Sequence, residues 1–381
     1  MKFYKGHGGL APQTPVPVRN SVLDARKLTD QADPSKYRLV DPAVETSPDH
    51  EPDEGQRNGR RVVRAVNTAL TLGLPLLVSG EPGSGKTQLG YGVANELGLA
   101  TPLKFTTKSS SEARDLFYEY DAVRHFQAAQ ADPSVKAVDF IEYTALGLAI
   151  LLALPFETRA PFLSDALRAG TIDPGLPDAR KALLTKLSAQ DPVRSLVVID
   201  EIDKAPRDFP NDLLHEIETL SFRAPELGGI ETPAIDPDLK PIIIITTNSE
   251  RQLPDAFLRR CAYAHIDYPR GRALAAIIDA RLGQAMAASS PFAEDVRAFY
   301  EKIRAEGRID KAPGTAELLQ FLQVMIEQKI KPDWTMAQQP DEVLAGLSLL
   351  AKINTDVAKL EDALRSHMAS TESPSSHVRR P

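Results

Sequence analysis

Leu76-Leu77-Val78-Ser79-Gly80-Glu81-Pro82-Gly83-Ser84-Gly85-Lys86-Thr87 decides the reading of this chain. An apolar run is followed by a glycine-rich turn and then by a helix-forming segment, Lys86 to about Leu97. The spacing Gly80-x-x-x-x-Gly85-Lys86-Thr87 is that of a phosphate-binding P-loop, in which backbone N–H groups approach anionic oxygens too closely for a Cβ to be tolerated. The helix that follows points its positive end at the anion. The residues expected to bind are Gly80, Glu81, Pro82, Gly83, Ser84, Gly85, Lys86, Thr87 and Gln88, with Lys86 on the β- and γ-phosphates and the Thr87 hydroxyl on Mg2+.

Other apolar runs follow at intervals. Pro102 to Thr107 reads as a second strand, Leu196 to Ile199 as a third and Ile242 to Ile245 as a fourth. The third and fourth are continuously apolar, as a parallel sheet covered on both faces requires. Helical spacing at Val62, Val63, Val66 and Leu70 precedes the first strand, and Leu213, Leu214, Ile217 and Leu220 share one face of a helix after the third. Strands alternating with helices predict an α/β, doubly wound parallel sheet with its ligand at the carboxyl ends of the strands.

Around this core the expected organisation is an N-terminal arm or linker over 1–57 and an α/β domain over 58–269. A helical lid domain over 270–368 and a disordered tail over 369–381 complete it. Within the arm, Tyr37 to Val44 is a candidate to cover an adenine or a neighbouring subunit. Residues 111–130 are expected to form one helix, 121–190 an insert of helices, and 221–241 a hairpin turning at Gly228-Gly229. The lid is expected to hold helices near 271–286, 292–306, 314–330 and 340–368.

Asp200-Glu201 directly follows the third strand, which delivers two carboxylates to the strand end where the P-loop lies. Asp200 is expected to hold the Mg2+ shell and Glu201 to polarise an attacking water as general base. Asn248, after the fourth strand, should emerge beside Glu201, where an amide could orient water or sense the γ-phosphate. Arg259 and Arg260 are a pair of the kind a ring ATPase lends to its neighbour's γ-phosphate, Arg260 being the first choice. Lys204 faces either a neighbour or solvent, and Phe209 is expected to be buried under its helix. His7, His50, His125, His215 and His265 show no metal-ligand spacing.

Composition narrows the class. Hydrophobic residues make up 42% and charged residues 25%, ordinary values for a soluble globular protein. With 45 basic against 52 acidic residues the net charge is −7, which argues against a dedicated nucleic-acid binder. The single cysteine, Cys261, excludes an internal disulfide and suits a reducing compartment. The start MKFYKGHGG has no apolar signal region, and Thr144 to Leu154 is too short to span a bilayer, so a cytoplasmic location is expected.

Taken together, GEPGSGKT (80–87), VVIDEIDKAPRDFPNDLLHEIE (197–218), IIIITTNSE (242–250) and LPDAFLRRC (253–261) resemble the MoxR branch of the AAA+ ATPases, over roughly residues 61 to 330. The resemblance implies ATP hydrolysis at the interfaces of a hexameric ring and chaperone-like remodelling of a partner, often one with a von Willebrand factor A domain. It matches Asn248 to the first sensor and Arg260 to the arginine finger, with Arg259 an additional arginine. The chain departs from the family at the second sensor, where Ala312-Pro313-Gly314-Thr315-Ala316-Glu317 offers no arginine; Lys311 or a neighbour's residue is the alternative. TTNSERQLPDAFLRR also resembles the GTP-using McrB motors but differs from them at Ser249-Glu250, which favours ATP. A nucleotide-gated scaffold is the third reading, against which Glu201, Asn248 and Arg260 stand, since binding alone needs none of them.

Overall fold

The computed structural model describes Tyr4 and residues 54–371. Tyr37 to Val44 and residues 372–381 lie outside them.

Helix α1 (Glu54–Leu72) starts before the apolar periodicity does and takes in residues 54–57, which had been expected in the arm. It leads into strand β1 (Leu76–Gly80), helix α2 (Lys86–Leu97) and strand β2 (Leu103–Thr106). The stretch 111–130 is not one helix. It makes a single 3-10 turn at Ala113–Leu116, strand β3 (Tyr118–Tyr120) and helix α3 (Ala122–Ala131). Strand β4 (Ile141–Tyr143) pairs antiparallel with β3, so the insert carries a two-stranded ribbon as well as helices α4 (Ala145–Ala153) and α5 (Asp178–Ser188).

Strand β5 (Leu196–Asp200), helix α6 (Phe209–Thr219), the two-residue strands β6 (Arg223–Ala224) and β7 (Ile230–Glu231), β8 (Ile242–Thr247) and β9 (Ala262–Ile266) complete the α/β part. Arg223 pairs with Glu231 and Ala224 with Ile230, and Gly228 and Gly229 both turn with positive φ, as a hairpin there requires. Five strands form one parallel sheet in the order β2-β5-β8-β1-β9. Because β1 lies between β8 and β9, the chain leaves it toward one edge and returns at the other, opening a crevice outside the carboxyl ends.

Alternate residues of each strand enter two different cores. Leu77, Val197, Ile199, Ile243 and Ile245 pack against α4 and α6, whereas Leu76, Val78, Val198 and Ile244 pack against α1 and α2. Burial on both faces is why these strands read as unbroken apolar runs. Tyr4 joins the second core: its backbone N–H donates to Asn67 Oδ1 (2.9 Å) and its carbonyl accepts from Asn67 Nδ2 (2.9 Å).

A third core is wholly helical, built by α7 (Gly271–Leu282), α8 (Pro291–Ala305), α9 (Thr315–Glu327), α10 (Pro340–Gly346) and α11 (Asn354–Thr371). The single helix expected over 340–368 is broken at 347–353, and α11 continues through residues 369–371 of the expected tail. No helix among the described residues is long and apolar enough to cross a membrane.

Candidate active site

The loop between β1 and α2 is shaped by its glycines. A Cβ at Gly80 would lie 2.5 Å from the carbonyl oxygen of Ile266, and Gly83 has φ 79°. Gly85 caps α2 in the left-handed region at φ 94°, which turns the first N–H groups of α2 toward the loop. Lys86 Nζ donates to the carbonyls of Gly80 (2.9 Å) and Glu81 (2.8 Å). Burial pushes its pKa below the ordinary lysine value, opposed by the charges of Asp200, Asp203, Glu201 and Glu81. Ser84 Oγ is buried with no hydrogen-bond partner, and Gln88 lies half-buried in the first turn of α2. An orphaned hydroxyl, a cation lodged on carbonyls and a backbone cradle closed to Cβ atoms together fit an oxyanion such as a phosphate.

Asp200 closes β5 with its side chain against this loop. Oδ1 accepts from Thr87 Oγ1 (2.9 Å) and Thr246 Oγ1 (2.6 Å), and Oδ2 meets Lys104 Nζ at 2.9 Å. Burial works against the charged form, but the bonds from Thr246, Lys104 and Thr87 outweigh it and hold the carboxyl below the usual carboxylate range. An ionised carboxylate beside the Thr87 hydroxyl is an all-oxygen pair suited to a hard divalent cation such as Mg2+. Thr87 and Asp200, expected from the sequence to share that ion, are therefore neighbours.

Glu201 leaves the strand in the left-handed region, φ 59°, which is unusual for a residue with a side chain. Its N–H donates to Thr246 Oγ1 (2.9 Å), and its carbonyl takes a short hydrogen bond from Thr107 Oγ1. Its carboxylate is engaged: Lys204 Nζ lies 2.6 Å from Oε2, so Lys204 looks inward at the site rather than only toward solvent or a neighbour. Buried Asp203 accepts from the N–H groups of Asn248 (3.2 and 3.3 Å) and Glu250 (3.1 Å), tying the exit of β8 to the exit of β5. Asn248 is thereby held near the carboxylates through its backbone, and its side-chain amide makes no hydrogen bond among the described residues.

Arg259 and Arg260 are exposed, and neither side chain makes a hydrogen bond or ion pair with the P-loop of its own chain among the described residues. Arg260 Nε lies 3.5 Å from Glu218 Oε1, between two solvated side chains. Burial raises the Cys261 thiol to about 12, so it stays protonated and unreactive.

Four contributors escaped the sequence reading: Lys104, Thr107, Thr246 and Arg304. Lys104 carries the one local signal, a lysine inside an otherwise largely apolar strand, β2, at the edge of the sheet beside β5. Arg304 comes from α8 and pairs with Glu81 of the P-loop, 223 positions away in the chain. At the expected second-sensor stretch, the backbone of Gly314 and Thr315 lies directly against the P-loop: a Cβ on Gly83 would sit 3.2 Å from Thr315 N, and one on Gly314 would sit 3.1 Å from the Pro82 carbonyl oxygen. Lys311 is exposed and donates its backbone N–H to Asp356 (2.9 Å).

No family model matches the chain. A stretch of 72 residues is 43% identical to RuvB-like protein 1 of Encephalitozoon cuniculi (strain GB-M1), covering 17% of this chain and 16% of that protein. That stretch is a small part of either chain, and the fold stands on the strand order and the loop geometry: an α/β core with a P-loop after its first strand, followed by a helical region.

Proposed function

We propose that this chain is a Mg2+-dependent AAA+ ATPase that assembles into a ring, a hexamer by the MoxR resemblance, and uses turnover to remodel a partner protein. The observation that carries the reading is the convergence of Lys86, Thr87, Asp200 and Glu201 at one strand end, with Thr87 Oγ1 2.9 Å from Asp200 Oδ1. Lys86 and the loop N–H groups bind and orient the triphosphate. Thr87 and Asp200 hold Mg2+, which when bound supplies charge neutralisation for the transferring phosphoryl group. Glu201 accepts the proton of the attacking water, and Asn248, tied to the same strand end, orients that water.

The remaining charge at the γ-phosphate is the task of Arg260, with Arg259 beside it, supplied from the next subunit. Their exposure on the surface supports a role across an interface. A partner carrying a von Willebrand factor A domain and a cytoplasmic location belong to the same reading, and both rest on the MoxR motifs.

The test combines turnover and mass. Wild type should hydrolyse ATP in preference to GTP, Lys86→Ala should lose nucleotide binding, and Glu201→Gln should bind but turn over about 10² to 10⁴ times more slowly. Mass photometry of Glu201→Gln with ATP and Mg2+ should show six subunits. Absence of nucleotide binding in wild type would defeat the reading, and a clear GTP preference would replace it with the McrB-like one.

A further inference from the structure

Arg304 stands at the last turn of α8 with its side chain only 10% exposed, an unusual degree of burial for a guanidinium. Three contacts fix it. Its carbon sits 3.7 Å from the centre of the Tyr268 ring, Nη1 donates to the Pro313 carbonyl (2.6 Å), and Nη2 makes a short charge-assisted bond to Glu81 Oε2.

The same junction holds a wider polar network. Tyr300 Oη donates to the Pro313 carbonyl (2.6 Å), Thr315 Oγ1 donates to Tyr268 Oη (3.0 Å), and the two tyrosine hydroxyls share a short hydrogen bond. Cation, rings and hydroxyls therefore present a preset guanidinium at the seam between the helical region and the α/β core.

Glu81 gives this contact its meaning. Its side chain is 60% exposed, so the pair contributes little to stability by the usual measure of surface ion pairs. Yet its carbonyl accepts from Lys86 Nζ at 2.8 Å. One residue thus connects Arg304 through its side chain to the phosphate-gripping lysine through its backbone. The close approach of Thr315 to Gly83 and of Gly314 to Pro82 leaves no slack between the two regions.

We propose that Arg304 is a positioning residue for nucleotide binding: by clasping Glu81 it docks the helical region onto the P-loop, providing from α8 the cation that residues 312–317 lack. The inference rests on the P-loop being a nucleotide site. It places the link between lid and phosphates in a side chain–backbone relay from Arg304 through Glu81 to Lys86. Strain in the helical region, from a neighbour or a partner, would then act on the grip of Lys86.

The experiment uses the full chain and two readouts. Amide hydrogen exchange without nucleotide follows residues 80–86 and 313–317, and a fluorescent ATP analogue reports affinity. Glu81→Ala and Arg304→Ala should each speed exchange in both segments and weaken the analogue by about 5- to 10-fold, within the usual range of site coupling. The double variant should be no worse than either single one, because both remove the same link. Arg304→Lys should recover part of the affinity, and the swap Glu81→Arg with Arg304→Glu should recover more than either of its single parts. Unchanged exchange over 80–86 in Arg304→Ala, or single effects that multiply in the double variant, would overturn the proposal. Wild type failing to bind the analogue, or Lys86→Ala binding it normally, would overturn the nucleotide site itself, while the exchange readout still judges the clasp.

Discussion

At the residue scale, the most informative contact is the one between Lys204 and Glu201. A general base offers a carboxylate lone pair to water, and here an ammonium at 2.6 Å occupies Oε2, which leaves Oε1 for that task. That hydrogen bond also raises the Lys204 pKa, so the lysine stays charged throughout the neutral range. Removing it should release Glu201. Lys204→Ala is expected to raise basal ATP turnover by about two- to fivefold with nucleotide affinity unchanged, a modest part of the range open to general-base effects. Slower turnover in that variant would mean that Lys204 serves the reaction or an interface directly. The P-loop and Asp200-Glu201 were legible in the sequence because each is a contiguous motif whose chemistry is complete within a few residues. Lys104, Thr246 and Arg304 were not, since each acquires its role only from a partner brought close by the fold.

At the element scale, helices α4 and α5 end against a single buried guanidinium. Arg159 is fully buried and donates to the carbonyls of Leu154 (2.8 Å) and Leu187 (2.9 Å), with longer bonds to Leu151 and Leu152 (3.3 and 3.4 Å) and Lys186 (3.3 Å) and a short one to Ala189. These carbonyls lie at the negative ends of two helices, where those of Leu151, Leu152 and Lys186 also accept a backbone N–H, and together they take the place of a carboxylate counter-ion. Burial nevertheless pushes the guanidinium pKa below its ordinary value. Arg159→Met should cost about 3 kcal/mol or more in urea unfolding, because several buried acceptors lose their donor at once. A loss under about 1 kcal/mol would show that water replaces it. The elements themselves were unevenly legible. Strands β1, β2, β5 and β8 announced themselves as apolar runs. The stretch 111–130 did not, because the burial of Leu116, Phe117 and Tyr118 against Phe222 and Phe162 is a tertiary effect that overrides its helical composition. The break after α10 lacks a proline. It coincides with Gly346, which packs so closely that a Cβ would meet Met325 Cε at 2.6 Å.

At the scale of the whole molecule, exposed Arg259 and Arg260 make the proposed site incomplete within one chain. A mixing experiment decides between action in cis and in trans. Lys86→Ala and Arg260→Ala should each be nearly inactive alone, and their mixture should regain activity, because random assembly pairs an intact loop with an intact arginine at about a quarter of interfaces. No recovery in mixtures shown to co-assemble would place the arginine outside the reaction.

The left-handed backbone of Glu201 has a consequence for how such a chain can change over generations. A glycine there would relieve roughly 1 kcal/mol of backbone strain. It would also delete the carboxylate on which turnover is proposed to depend. At this position the more stable protein is the idle one, so selection for robustness alone would drift toward a chain that binds and never fires.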